Sequence, residues 1–294
     1  MADYTLSALR ARIARLLGDH ISGTATSGST TTLVDTAELG NYAGTAAGVG
    51  DTLYGRYVYI NGGTNAGQER RISSNTQSTS TITVPTWSAP STDSTYEIHG
   101  EWRVADYNAA INQAISDLRG DNGALIAQVA DVSITMDDAE TAASYYYDLP
   151  VALRSIKSIV PEGPTSGIYD EHPLSYNVDY TLEKKTAATS SSASIAYLVL
   201  TRYSSIVPLD GRKLRIIGSG YQAEVTTDSG LIAEHLVPFI QHQAAYYLLS
   251  SRAGLGTPDS QANQRIAQQR LALAEAARSR LEYRASPGEV PIPV

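Results

Sequence analysis

Five histidines, His20, His99, His172, His235 and His242, are the first candidates for metal or proton chemistry. His235 and His242 stand seven residues apart on one predicted helix. That puts them on one face but about 10 Å apart along the axis, too far to share a metal by themselves. No His-Glu-x-x-His pattern occurs, and all five read as structural or surface histidines. Gly218-Ser219-Gly220 lacks the Lys-Ser/Thr of a phosphate loop, the spacing of a dinucleotide fingerprint and the form of a nucleophile elbow, so it reads as a turn. Asp137, Asp138 and Glu140 lack the alternating acids, central glycine and closing glutamate of a calcium loop, which leaves a solvated turn. Carboxylate pairs for glycoside hydrolysis are defined by spatial separation, and nothing in the sequence singles out a pair. Arg70-Arg71 and the series Arg265, Arg270, Arg278, Arg280 and Arg284 are the main basic features. Interleaved with Glu275 and Glu282, that series reads as an oligomer interface of intersubunit ion pairs, or else as DNA-tolerant walls or a solvated face, rather than as base readout. No catalytic residue, metal ligand or cofactor site is expected.

Bulk properties point the same way. The chain has 294 residues, 42% hydrophobic and 18% charged, enough for one large or two medium folded domains. A net charge of −8 argues against a main role in gripping nucleic-acid backbone, and suits a surface that DNA passes without sticking. Nineteen tyrosines against a single phenylalanine fit contact surfaces, since tyrosine offers a stiff amphipathic area. No cysteine is present, so stability must come from packing or assembly. The first residues lack the basic-then-apolar order of a signal peptide, and no run approaches the roughly 18 apolar residues of a membrane span. A soluble intracellular origin with no membrane association is expected.

The elements are read in chain order. Leu6 to Gly18 is amphipathic, with Leu6, Leu9, Ile13, Leu16 and Leu17 on the core face and Arg10, Arg12 and Arg15 in solvent. Residues 22–100 are dense in Gly, Ser and Thr, with short alternating runs at Tyr54–Ile60, Gln68–Ser73, Ser80–Val84 and Thr95–Ile98. They predict a small closed or nearly closed β-barrel with Val58, Ile60, Ile72, Ile82, Val84 and Ile98 inside and Trp87 plugging one end. Residues 101–129 return to helix, stopped by Gly120-Asp121-Asn122-Gly123. Residues 130–228 are mainly β, including a hairpin from Asn177–Leu182 and Ser194–Tyr203 around a low-complexity tip at Thr186–Ala193. Residues 229–284 predict two helices broken at Gly254–Pro258, where Thr257 caps and Pro258 opens the second. That helix would be about 39 Å long, with Ala262, Ile266, Leu273, Ala277 and Leu281 against its own domain. Residues 285–294 carry three prolines and read as an extended tail. The expected class is α+β: a helical domain (1–21 and 101–129) with a C-terminal hairpin, an inserted barrel, a second β-rich region and the tail.

Three segments carry a resemblance. They are Gly55…Val58…Ile60…Gln68…Arg71-Ile72-Ser73…Val84…Trp87…Tyr96-Glu97-Ile98; Tyr145-Tyr146-Tyr147-Asp148-Leu149-Pro150; and Leu214-Arg215-Ile216…Thr226-Thr227-Asp228…Leu231-Ile232…Ala244-Ala245-Tyr246-Tyr247. With the order of elements, the chain resembles head-to-tail adaptor (connector) proteins of tailed bacteriophages. The barrel insertion and the Thr186–Ala193 loop depart from that pattern. The resemblance implies a structural virion protein without catalysis, made in the bacterial host cytoplasm and placed in the neck. It would form a homo-oligomeric ring, usually a dodecamer, between the portal protein and a tail or nozzle protein, with fibres as further partners. DNA would pass through without specific binding. The C-terminal residues Pro287, Val290, Pro291, Ile292, Pro293 and Val294 would dock on the portal. The competing readings are a tail, fibre-attachment or head-decoration protein, and a carbohydrate-binding or carbohydrate-active protein.

Overall fold

The computed structural model describes residues 3–120, 130–136, 146–149, 153–163, 165–170, 172–184, 196–201, 211–253, 260–281 and 290–292. The chain divides into two compact units, residues 1–117 with 224–280, and residues 118–223 with 281–294. It is a mixed α+β protein, with four α-helices and several small antiparallel sheets among the described residues.

In the first unit, strand β1 (Asp3–Thr5) leads directly into helix α1 (Leu6–Leu17). Thr5 caps α1 by accepting from the Ala8 N–H, and Gly18 closes it at φ 72°, a conformation that costs glycine nothing. Arg10 corrects the expected face of this helix: it is fully buried with Leu6, Leu9, Ile13 and Ala14 rather than solvated.

Between α1 and α2 (Val104–Gly120) the chain builds two four-stranded sheets, and no closed barrel. One sheet orders β2 (Ile21–Thr24), β9 (Thr95–His99), β5 (Tyr57–Gly62) and β6 (Glu69–Arg71). The other orders β3 (Ser27–Gly28), β4 (Thr32–Val34), β8 (Thr81–Thr83) and β7 (Ser74–Thr76). The chain changes sheet four times, between Thr24 and Ser27, Val34 and Tyr57, Arg71 and Ser74, and Thr83 and Thr95, and its strands of two to six residues are too short to wrap a ring. Every residue predicted for the interior is buried in the one core that both sheets share, joined by Leu33, Leu39, Leu53 and Tyr96. Trp87 lies in that core and donates its indole N–H to the Ser29 carbonyl at 2.9 Å.

The return of the chain starts with β16 (Leu231–Ala233), antiparallel to β1, so Leu231–Ala233 is strand where helix was expected. A short 3₁₀ turn leads into α3 (Val237–Ala253) and then α4 (Ser260–Arg278). α3 is apolar almost all round and buries Val237, Phe239, Ile240, Ala244, Ala245, Leu248 and Leu249, the pattern of a central helix. α4 spans 19 residues, about 28 Å, shorter than predicted. Gly254–Pro258 and Arg284 lie outside the described residues.

The second unit holds two sheets, β10 (Ala130–Thr135), β15 (Lys213–Gly220), β12 (Leu153–Pro161) and β17 (Val290–Pro291) in one, and β11 (Tyr146–Asp148), β14 (Ala196–Leu200) and β13 (Tyr180–Lys184) in the other. The predicted hairpin is the β13–β14 pair. Asp137, Asp138, Glu140 and the Thr186–Ala193 tip fall outside the described residues. Gly218-Ser219-Gly220 continues β15 instead of turning. There Gly218 faces β12 so closely that an added Cβ would stand 2.1 Å from the Ser155 carbonyl oxygen, so the glycine is required by strand packing. Gly218→Ala should therefore lower stability to chemical denaturation by about 1–3 kcal/mol, seen as a lower urea midpoint for the second unit; an unchanged midpoint would contradict the close approach.

Candidate assembly surface and its buried anchor

The helices of the first unit are held in place by polar groups. Arg10 reaches three partners: its Nε donates to Glu97 Oε1 at 2.6 Å, and its Nη1 donates to Asp228 Oδ1 at 2.7 Å and Asn108 Oδ1 at 3.1 Å. Its guanidinium also lies 5.1 Å from the centre of the Tyr59 ring, and Tyr59 donates its hydroxyl to the other oxygen of Asp228 at 2.8 Å. One side chain thus ties α1 to β9, β5, α2 and the segment before β16. Burial opposes the charge of Arg10, but Asp228 and Glu97 outweigh it and raise its pKa. Burial alone would push the Glu97 carboxyl up; His99, whose Nε2 is 3.5 Å from Glu97 Oε2, and Arg10 outweigh that and hold it below its ordinary value.

A second clamp closes the insertion. Asp19, just past α1, accepts from the backbone N–H groups of Gly100 at 2.5 Å, Glu101 at 3.1 Å and Trp102 at 3.4 Å, and from the Tyr107 hydroxyl at 3.1 Å. The points where the chain enters and leaves the two sheets are therefore joined by one carboxylate.

The hairpin packs through small residues. On α4 the fully buried positions are Ala267 and Ala274, two turns apart, which lets α4 lie close on α3. The stripe expected to face inward is instead displaced: Ile266 is 37% and Leu273 46% exposed, and Ala262 is exposed. The packed row follows the alanines because the larger residues would force the helices apart.

The five predicted interface arginines separate. Arg270 and Arg278 are half-buried and reach the carbonyls of Leu16 and Asp117, each at 3.5 Å, and Arg278 also lies 5.9 Å from the Phe239 ring. Arg265 and Arg280 are exposed. Of the predicted tail, Val290 and Pro291 form β17 on the edge of β12, and Ile292 is buried in the second unit's core with its N–H donating to the Arg154 carbonyl at 2.8 Å. Val290 and Pro291 are thus a strand of the chain's own sheet, and Ile292 beside them fills an apolar pocket. Pro287, Pro293 and Val294 lie outside the described residues.

Burial lowers the pKa of His20, His235 and His242. Among the described residues no group of three or more His, Asp or Glu side chains is placed to hold a metal, and no helix is long and apolar enough to cross a membrane.

What the sequence reading missed is a groove of about 550 Å³ between α2 and α3. Trp102, Asp106, Ala109, Ala110 and Gln113 line one side, and Tyr247, Leu248, Ser251 and Arg252 the other. Arg252 pairs with Glu101 and stacks 5.1 Å from the centre of the Trp102 ring. The helical spacing of Ala109, Ala110 and Gln113 was visible in the sequence; which face they share with α3 was not. No protein-family model matches the chain, and no curated protein matches it.

Three outcomes follow. Arg10→Met should cost about 3–5 kcal/mol, because it strands Glu97 and Asp228 without their cation. The folded pKa of Glu97 lies below the ordinary 4.5, so its stabilisation is complete above that pH and lost as pH falls through the depressed value; Glu97→Gln should flatten that acid limb in denaturation measured against pH. Separately, Ile292→Ala should destabilise the second unit by about 2–5 kcal/mol, read by hydrogen exchange at β12 and β15.

Proposed function

We propose that the chain is a structural, non-enzymatic subunit of a head-to-tail adaptor ring in a tailed bacteriophage. In this reading copies of the chain assemble around the DNA channel between the portal and the tail. The observation that carries it is the hairpin: α4 is the outer helix, its large apolar side chains Ile266 and Leu273 face away from α3, and such a helix is completed by a neighbour. The resemblance of the three sequence segments supplies the virion setting. A net charge of −8 supports it, since the wall of a DNA channel must not hold its cargo.

The first unit is suited to be a rigid stave. Its buried Arg10 and Asp19 clamps fix the two-sheet insertion to α1 and α2, so contacts made by the insertion are referred rigidly to the hairpin. In a ring, that insertion is a collar element available to fibres or tail components. Docking on the portal through the C-terminal residues remains part of the proposal, with Pro293 and Val294 following the anchored Ile292.

Negative-stain imaging and native mass spectrometry of the pure chain, alone and mixed with a portal protein, test the reading. A closed ring of one stoichiometry, or one formed on the portal, is expected. A monomer that ignores the portal would contradict it.

A further inference from the structure

Two surfaces of the first unit are exposed within a single copy, and they differ in kind. One is the outer row of α4: Ile266 and Leu273 stand seven residues apart, two turns along one line of the helix, and Arg280 follows in the turn just past its end. All three are exposed. The other is concave: the α2–α3 groove, floored by the small side chains Ala109 and Ala110 opposite Leu248, with the exposed carboxylate of Asp106 toward the start of α2. No residue of α4 lines that groove.

Resting on the ring reading above, we propose that the α4 line of one copy seats in the α2–α3 groove of the next. Ile266 and Leu273 enter as knobs over the alanine floor, and Arg280, exposed in the turn that follows α4, is the cation nearest in sequence to meet Asp106. The fit is argued from three features. The knobs are large where the floor is small, which is how packed helices interlock. The charges are opposite, and neither Arg280 nor Asp106 has an ion pair among the described residues of its own copy. The two surfaces are different patches on one chain, so the contact is heterologous: each copy gives one face and receives on the other. Repetition of such a contact closes into a ring when the rotation divides a full circle, whereas a patch that pairs with itself stops at a dimer. The inner row of Ala267 and Ala274 explains why the outer row is available, since it draws α4 onto α3 without using the larger side chains.

Complementation between two variants tests this. Ile266→Lys with Leu273→Lys disables the line and leaves the groove. Ala109→Lys with Gln113→Lys disables the groove and leaves the line. All four positions are exposed, so circular dichroism should show both variants folded as the parent is. The expected result by native mass spectrometry is a ring for the parent and loss of the ring for each variant alone. An equimolar mixture should give a discrete complex of two copies, one of each variant, because a single intact contact remains. Rings from either variant alone overturn the proposal while leaving the adaptor reading intact. Variants that stay monomeric in the mixture also overturn it, since the line and groove are then not each other's partners. A parent that is monomeric both alone and with the portal overturns the proposal together with the reading it rests on.

Discussion

The fold of the first unit depends on a single buried cation. A guanidinium taken wholly out of water is tolerated only where carboxylates and acceptors meet it in good geometry. Arg10 is met by groups 87, 98 and 218 residues away in the chain. Satisfying it therefore brings together α1, the strand that leaves the insertion, the helix that follows it, and the segment that leads to the hairpin. Apolar packing would have held the same segments with less demand on their register; the ion pair admits one arrangement. Asp19 repeats the logic at the mouth of the insertion, where one carboxylate takes up three backbone N–H groups and a tyrosine hydroxyl.

With that frame fixed, the hairpin has little freedom. α3 lies in the middle and is buried on most sides, so α4 must cover it from outside. The choice of which α4 row turns inward is steric. Alanine at 267 and 274 gives close approach, and the cost is that isoleucine and leucine remain in water. In an isolated chain that arrangement forgoes burial that a different helix rotation would capture. In the proposed assembly the alanine-floored groove between α2 and α3 of a neighbouring copy would cover that outer row.

Much of the architecture was legible in the sequence. α1 and its glycine cap, the four predicted strand runs of the insertion with their interior residues, the β13–β14 hairpin and the two C-terminal helices all follow from local periodicity and turn chemistry. What was not legible depended on partners far away in the chain. Arg10 sits among leucines at helical spacing, and nothing local says whether a cation on that face is solvated or answered by Glu97. Gly218-Ser219-Gly220 has the composition of a turn, yet Ser155 across the sheet requires the glycine to be in a strand. The insertion shows alternation of the kind a barrel uses, and whether its strands close or split into two sheets is set by corners at residues 25–26 and 72–73. On α4 both stripes have helical spacing; only the depth of α3 decides which is inside. The tail shows its prolines plainly, but the pocket that takes Ile292 belongs to strands more than 70 residues earlier in the sequence.

The central claim is that copies meet through unlike faces. The chain has no cysteine, so thiols introduced into it have no native competitors. With Ala109→Cys and Leu273→Cys in the same chain, mild oxidation followed by non-reducing electrophoresis reads the contact directly. The account predicts an intermolecular ladder that ends in a covalently closed species, and no ladder with either cysteine alone. Thiols that label freely yet leave only monomer after oxidation, or a dimer from Leu273→Cys by itself, would contradict it.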